Sequence, residues 1–455
     1  MPAVILRSVE WARRQFGSID LGDQRRDRRV VAMAAHLVRN PSASLPTQMG
    51  SPKALKAAYR VLGEEDVSYG ALMAPHWEQT RRVASQERLV LMVQDTTEID
   101  HTHHPTTKGL GPIGDNRGYG YLLHTVLAVV PKPRRVLGIA HQEPFLRQAA
   151  PRESCNQRRC RSRESQVWSR AAQAVGAAPE NSLWVHVGDR YSDIFEFMAT
   201  CLESGSDFLV RAAQDRCMET EDGTQDYVIS FARRLPAQGE RLTEVPARKR
   251  RPARTARVQI SFSPITILPP KGGPFRESLS VWGVRVWEPE PPAGEDEPLE
   301  WILLTSVMTR IVDEAWERVD WYKCRWISED YHQCLKTGCS IEKRQLREKD
   351  RLLRLLGLLA PVALRLLQLR DIVRLSPDAP AISTLPKDLV QVVAHLAEAP
   401  LESLTMKDFW WAVAQQGGFL GRRRDGPPGW KTIWRGWLHV QTLLEGVRLA
   451  SRLPP

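Results

Sequence analysis

Two short apolar runs, each leading into an acid, limit most strongly what this chain can fold into. Residues 89–93 (LVLMV) are followed two positions on by Asp95, and residues 183–187 (LWVHV) by Asp189. Neither run alternates apolar with polar side chains. Strands of this texture are covered on both faces, as inner, largely parallel strands are, and they need helices on either side of the sheet. The surrounding sequence supplies them. RLVLMVQDTTEI, YLLHTVLAVV and RRVLGIAHQEPF read as three strands, the last two separated by Pro131 and Pro133. ESQVWSRAAQAV reads as a helix, SLWVHVGD as a strand, YSDIFEFMATCLES as a helix and DFLVRAA as a strand.

Three strands, helix, strand, helix, strand is the order of a ribonuclease-H-like α/β core with some parallel pairing. On this reading the chain is α/β, with a ribonuclease-H-like catalytic domain over residues 81–345 and a β-rich insertion at about 214–300. The insertion contains the basic run ARKRRPARTAR, the strand-like VQISFSPITIL and LSVWGVRVW, and the turn EPEPPAGEDEP; EWILLTSV then returns as a strand. Residues 1–80 read as a helical, Arg-rich N-terminal domain, in which LGDQRRDRRVVAMAAHLVRN and SPKALKAAYRVL are helices. Residues 346–455 read as a helical C-terminal domain, with loops at 374–386 and 421–429.

Composition narrows the function. The net charge is +11, and an excess of this size favours a polyanionic partner such as DNA, RNA or an acidic membrane surface. The seven cysteines form no CxxC pair, so a disulfide framework or a four-cysteine zinc site is not expected, and a reducing cytoplasm fits. MPAVILRSVEWARRQ has no long apolar core, and Glu10 interrupts it, so no signal peptide is expected. The most apolar stretch, residues 352–369, contains Arg354 and Arg365 and reads as an amphipathic helix with no role in a membrane. Fifteen Trp is high for 455 residues, and some of these rings are expected at an interface or against bases.

Asp95 and Asp189 end their apolar runs, and Glu329 lies on a helix expected from about 311 to 336 and stopped at Gly338. Two strand-end acids and one helical acid offer hard oxygen donors suited to Mg²⁺, with Mn²⁺ able to substitute. Two such ions serve phosphodiester cleavage. On a regular helix Tyr322, Arg325, Glu329 and Lys336 share one stripe, with Lys336 about 10 Å beyond Glu329 along the axis. That places Lys336 against a neighbouring phosphate. Taken singly, each acid is more simply a strand or turn cap, and the stripe a solvated face with local ion pairs. His101 and His103, in HTHHP, would face one side of a continuing strand and make a weak metal pair.

YKCRWISEDYHQCLKTG resembles the Y-(2)-R-(3)-E-(6)-K signature of the insertion-sequence-four family of bacterial DDE transposases, with Tyr322, Arg325, Glu329 and Lys336 at every signature position. QDTTEI and VGDRYSDIF are similar to the first-Asp and second-Asp motifs, giving Asp95 and Asp189, with Arg190 and Asp193 beside the latter. LGDQRRDRR and AAYRVL resemble the N-terminal DNA-contacting helices, which implicates Arg26, Arg29 and Arg60. VALRLLQLR and GGFLGRRRDGPPGWKTIWRGW resemble the C-terminal part that pairs protomers. The resemblance implies a cut-and-paste transposase that binds double-stranded DNA (terminal inverted repeats and target). It implies a homodimer on DNA, with Asp95, Asp189 and Glu329 holding Mg²⁺. It further implies that Trp301 stacks on a base flipped from the transposon end, and that His332 and Arg211 lie near the DNA backbone. DRYSD departs from the relatives' motif between Arg190 and Asp193, and Gln333 and Leu335 lose polarity some relatives have. The alternative reading is a catalytically silent, domesticated DNA-binding protein of the same fold.

Overall fold

The computed structural model describes residues 6–147, 163–245, 253–272, 275–292, 299–375, 377–422 and 425–451, without the side chains of 370–375. Cys155, Cys160, most of the basic run at 247–257 and the end of the acidic turn at 288–298 lie outside the described residues. The five other cysteines are free thiols.

Short polar residues start the N-terminal helices. Ahead of α2 (Gln24–Arg39), the Asp23 carboxylate accepts the Arg25 N–H. Ser51 and Ser68 do the same for α4 (Pro52–Gly63) and α5 (Tyr69–Ala84), and Ser44 for the single turn α3 (Leu45–Met49). With α1 (Ser8–Phe16) these form a layer. In α2, Val30, Met33, Ala34 and Leu37 recur at helical spacing and are buried, which leaves the arginines outward.

The first three strands are β1 (Leu89–Asp100), β3 (Gly118–Pro131) and β4 (Arg134–Phe145), joined antiparallel, with the short β2 (Gly111–Ile113) beside β3. β5 (Leu183–Gly188) lies parallel to β1, and β6 (Asp207–Arg211) parallel to β5. The spatial order is therefore β4-β3-β1-β5-β6. Between β4 and β6 the chain forms α6 (Val167–Val175) and α7 (Phe195–Glu203). Val90, Met92 and Trp184 point to the face that α6 covers. Leu91, Val93, Val185 and Val187 point to the other face and join the main core. The expected double coverage is present.

The inserted region continues the same sheet. It contains β7 (Cys217–Glu219), β8 (Gln225–Tyr227), a short α8 (Val228–Arg234), β9 (Gly239–Val245), β10 (Arg254–Ile267) and β11 (Leu279–Trp287). β12 (Glu300–Thr305) then runs antiparallel between β11 and β6. The whole is a twelve-stranded mixed sheet among the described residues.

The single helix expected at 311–336 is two helices. α9 (Val312–Lys323) ends in a tight turn, and α10 (Trp326–Gln333) follows. Across the junction the N–H groups of Cys324, Arg325, Ile327 and Ser328 bond three residues back, so the helix overwinds there. After α10 the chain widens, and the Cys339 N–H reaches the Cys334 carbonyl five residues back. Gly338 is needed there because a Cβ at that position would stand 2.6 Å from Leu366.

α11 (Lys349–Leu375) is not amphipathic. Leu352, Leu355, Leu356, Leu358, Leu359, Leu366 and Leu367 are all buried, and so are Arg354 and Arg365. The Arg354 guanidinium donates to the carbonyls of Val67 (2.6 Å) and Leu62 (2.9 Å), and Arg365 to that of Leu6 (2.6 Å). These arginines cap chain ends of the N-terminal layer where a polar face was expected. The helix is long and apolar enough to cross a membrane, yet nearly all of that stretch is inside the protein. α12 (Ala381–Thr384), α13 (Lys387–Leu396), α14 (Met406–Gln416) and α15 (Trp430–Ala450) complete the chain; α14 and α15 pack together, and α15 packs on α11.

Candidate functional site

Asp95 lies on β1 opposite Thr125, with its side chain 17% exposed. One of its oxygens accepts the Thr96 N–H at 2.8 Å. Burial and the nearby Asp189 carboxylate push its pKa up to about 7, against the pull of Arg325. Asp189 follows β5 directly and accepts the Tyr191 N–H at 2.8 Å. Gly188 permits this turn, because a Cβ there would stand 2.3 Å from the Ser192 hydroxyl. Glu329, on α10, is 48% exposed and accepts from Arg325 at 2.8 Å. The same guanidinium stands 3.8 Å from Asp95. Arg325 is thus shared by the mostly buried strand acid and the half-exposed helical acid.

The donor set suits a hard divalent ion in kind and in charge: all three are carboxylates, and burial first, then the neighbouring Asp189, raise the Asp95 pKa. In spacing it does not. Among the described residues no three acid, histidine or cysteine side chains gather at ion-binding distance.

Beside the acids, the Tyr322 ring meets Trp301 edge to face, with centroids 5.0 Å apart. Tyr322 is buried near Arg211, which donates to the Glu300 carbonyl at 3.0 Å. Burial lowers the Arg211 pKa and raises that of Tyr322. Trp301, Trp316 and Trp326 line a cavity of about 290 Å³ that also receives Arg241 and Lys323. Arg190 is exposed next to Asp189. Lys336 is turned to Glu342, at 3.3 Å, and so lies away from the acids. His332 is buried with Nδ1 4.0 Å from Asp95, and burial drops its pKa to about 3. Tyr322, Arg325 and Glu329 are thus brought together with Asp95, Asp189 and Arg211, while Lys336 stands about two turns beyond Glu329.

Three supports escape sequence reasoning. Asp193 is buried and accepts N–H groups from Ala213 (2.7 Å), Gln214 (2.9 Å) and Arg216 (2.7 Å), which ties the Asp189 turn to the end of β6. Its place in DRYSD was the only signal. On the opposite face of β1, Thr96 donates to His124 Nδ1 (2.7 Å), His124 Nε2 to Gln94 (2.9 Å), and the Gln94 amide to His186 Nδ1 (2.7 Å). This chain is satisfied only if both imidazoles are neutral, and burial pushes both down to about 3. Gln142 donates to Thr125 (2.8 Å) and Tyr331 (3.1 Å) and accepts from Tyr69 (2.7 Å), which joins α5, β3 and α10.

The histidine pair is corrected. β1 ends at Asp100, and residues 101–104 turn back, so His101 and His103 share no strand face. His101 is buried against Tyr121, and His103 is exposed.

In the N-terminal layer Arg26 pairs with Glu64 (3.2 Å) and Asp66 (3.6 Å). Arg29 is half-exposed, and Arg60 is exposed beside the exposed Tyr59. Residues 8–67, which run from the start of α1 to the turn after α4, match the family described as transposase DNA-binding. That match supports a transposase with DNA as its partner.

Proposed function

We propose that this chain is a cut-and-paste DDE transposase of the insertion-sequence-four kind, working as a homodimer on terminal inverted repeats and target DNA in the cytoplasm. The observation that carries the reading is the pairing of Asp95 and Glu329 on the single Arg325 guanidinium, with Asp189 near enough to Asp95 to raise its pKa. The strand order β4-β3-β1-β5-β6, with only the last two junctions parallel, is that expected for a ribonuclease-H-like core. It puts β1 next to β5 and hence Asp95 near Asp189.

As they stand, Asp95, Asp189 and Glu329 are too far apart to share an ion; drawn together on DNA they would hold Mg²⁺, or Mn²⁺ in its place, and an ion so held would acidify a water and stabilise the departing 3′-oxygen. The chain's own residues do the rest. The N-terminal helices, through Arg29 and Arg60, take the backbone of end DNA and set its register. Arg190, Arg211 and Lys336 offer cations for phosphates flanking the cut. Arg325 holds Asp95 and Glu329 while their charge is unmatched. Tyr322 and Trp301 present ring surface for a base displaced from the duplex, which offsets part of its unstacking. Nicking, hairpin formation, hairpin opening and joining are all in-line displacements at phosphorus, so one site serves each of them.

The test uses a labelled duplex carrying the inverted repeat that flanks the reading frame, with Mg²⁺ or with EDTA. Release of the end with Mg²⁺, lost in Glu329→Ala while retention of the duplex persists, is the expected outcome. Retention without cleavage in Mg²⁺ or Mn²⁺ would establish the silent DNA-binding protein in its place.

A further inference from the structure

Tyr191 is the most exposed large hydrophobic residue among the described residues, at 80% of its surface. The backbone that carries it is closely held. Its N–H is held by the Asp189 carboxylate at 2.8 Å. The Ser192 hydroxyl donates to the Asp189 carbonyl at 2.6 Å, and Ser192 and Asp193 are buried. Asp193 is clamped to Ala213, Gln214 and Arg216. The backbone on both sides of the ring is therefore pinned, while the ring reaches no other aromatic ring or guanidinium and its hydroxyl meets no partner among the described residues.

An apolar ring held in water by a rigid turn gains nothing for the fold. It does have little left to lose on binding, since only two side-chain torsions remain to be ordered. Its neighbours state what it would meet. Asp189 is one of the proposed catalytic acids, and Arg190 is an exposed cation one residue away. A cation for phosphate beside a ring for a base face is the chemistry of single-stranded nucleic-acid contact. Tyr191 is not among the residues that line the cavity of Trp301, Trp316 and Trp326, so it would serve a different base.

We infer that Tyr191 stacks on a nucleobase next to the phosphodiester that is cut, and is a positioning residue for the DNA strand at the Asp189 side of the site. The inference rests on the proposed function. A stack of this kind is worth roughly 1–3 kcal/mol per base, or about tenfold in rate at the lower half of that range.

The experiment places 5-iododeoxyuridine at successive positions of the terminal base pairs of the flanking-repeat duplex. The duplex is bound to Glu329→Gln so that it is held uncut, irradiated, and the attached peptide mapped. Attachment at one or two adjacent positions to the tryptic peptide that begins at Tyr191 is expected, with loss in Tyr191→Ala and return in Tyr191→Phe. In the otherwise unaltered protein, Tyr191→Ala should cut about tenfold more slowly with an unchanged salt dependence of binding, whereas Arg190→Ala should flatten that dependence by about one phosphate contact. Duplex retained without attachment to that peptide overturns the inference and leaves the transposase reading standing. So does a Tyr191→Ala protein that cuts at the wild-type rate, or one whose only defect is in self-association. Failure of the wild-type protein to retain the duplex removes both.

Discussion

The two halves of the sheet both pair surface acids with arginine, as Glu98 with Arg147 and Glu143 with Arg170 in the inner half, but they differ in how they treat a buried acid. In the outer half Glu288 and Glu300, and Asp320 of α9, are matched by arginine. Arg254 meets the buried Glu288 at 2.5 and 2.8 Å, Glu300 is held by both Arg233 and Arg285, and Arg241 meets Asp320. The Glu300 carboxyl is accordingly held below its ordinary range, by Arg233 first. In the inner half Asp95 is pushed up to about 7 by burial and by a second carboxylate. The polar groups behind it are neutral, a chain of Thr96, His124, Gln94 and His186. The outer half uses charge to hold strands together. The inner half leaves Asp95 to share the single Arg325 guanidinium with Glu329 where chemistry is proposed, and backs it with neutral hydrogen-bonding groups, of which His186 Nε2 finds no partner among the described residues.

The contrast can be broken at several points. The largest effect is expected from Asp95→Asn or Asp189→Asn. Each should lower Mg²⁺-dependent cleavage by about 10³-fold, the scale of removing one preorganised charge from a reacting centre, with duplex retention intact in a gel shift. Equal loss of retention would show that the acids serve the fold. Next, Arg254→Ala leaves Glu288 buried without its partner. It should cost about 3 kcal/mol, read as a lower denaturation midpoint, while cleavage per folded molecule is kept; a matching fall in cleavage would mean that the halves are not separable.

The third effect is a pH dependence of stability. His76, His124 and His186 are buried and neutral, with pKa values pushed down to about 4, 3 and 3. Their folded values lie below the unfolded one near 6.5, so the unfolded chain binds more protons in acid. Their contribution is complete above pH 6.5 and is lost as pH falls from there towards 3 to 4, at about 1.4 kcal/mol per pH unit per histidine. Thermal midpoints measured from pH 7 to 4.5 should fall, and His186→Gln should flatten the slope; an unchanged slope would mean that these imidazoles are not held neutral. The smallest effect concerns Arg29→Ala and Arg60→Ala. Each should weaken binding modestly and reduce the salt slope by about 1, without changing the cleavage rate of bound duplex.

Much of this could be read from the chain. β4 begins and ends where RRVLGIAHQEPF does, and the doubly buried β1 and β5 are announced by their unbroken apolar runs. Asp95 and Asp189 were legible because each follows an apolar run, and Arg325 and Glu329 because they share a helical stripe and match the signature spacing. Other features were not. Nothing in DWYKCRWISE marks a break between α9 and α10, since no glycine or proline interrupts it. Arg354 and Arg365 looked like a polar face because the carbonyls of Leu62, Val67 and Leu6 that they satisfy lie far away in sequence.

The sequence by itself determined most of the strands and helices and which acids follow the apolar runs of the central strands, because periodicity and apolar run length are local properties; that β1 continues past Asp95 to Asp100 was not visible in it. Tertiary structure alone decided that the inserted strands extend the same sheet, that Arg325 bridges two of the acids, that Lys336 turns to Glu342, and that Tyr191 stands in solvent on a locked turn. Those outcomes depend on which distant groups arrive at three to four ångströms, where hydrogen bonds and charges act, and no local pattern encodes that distance.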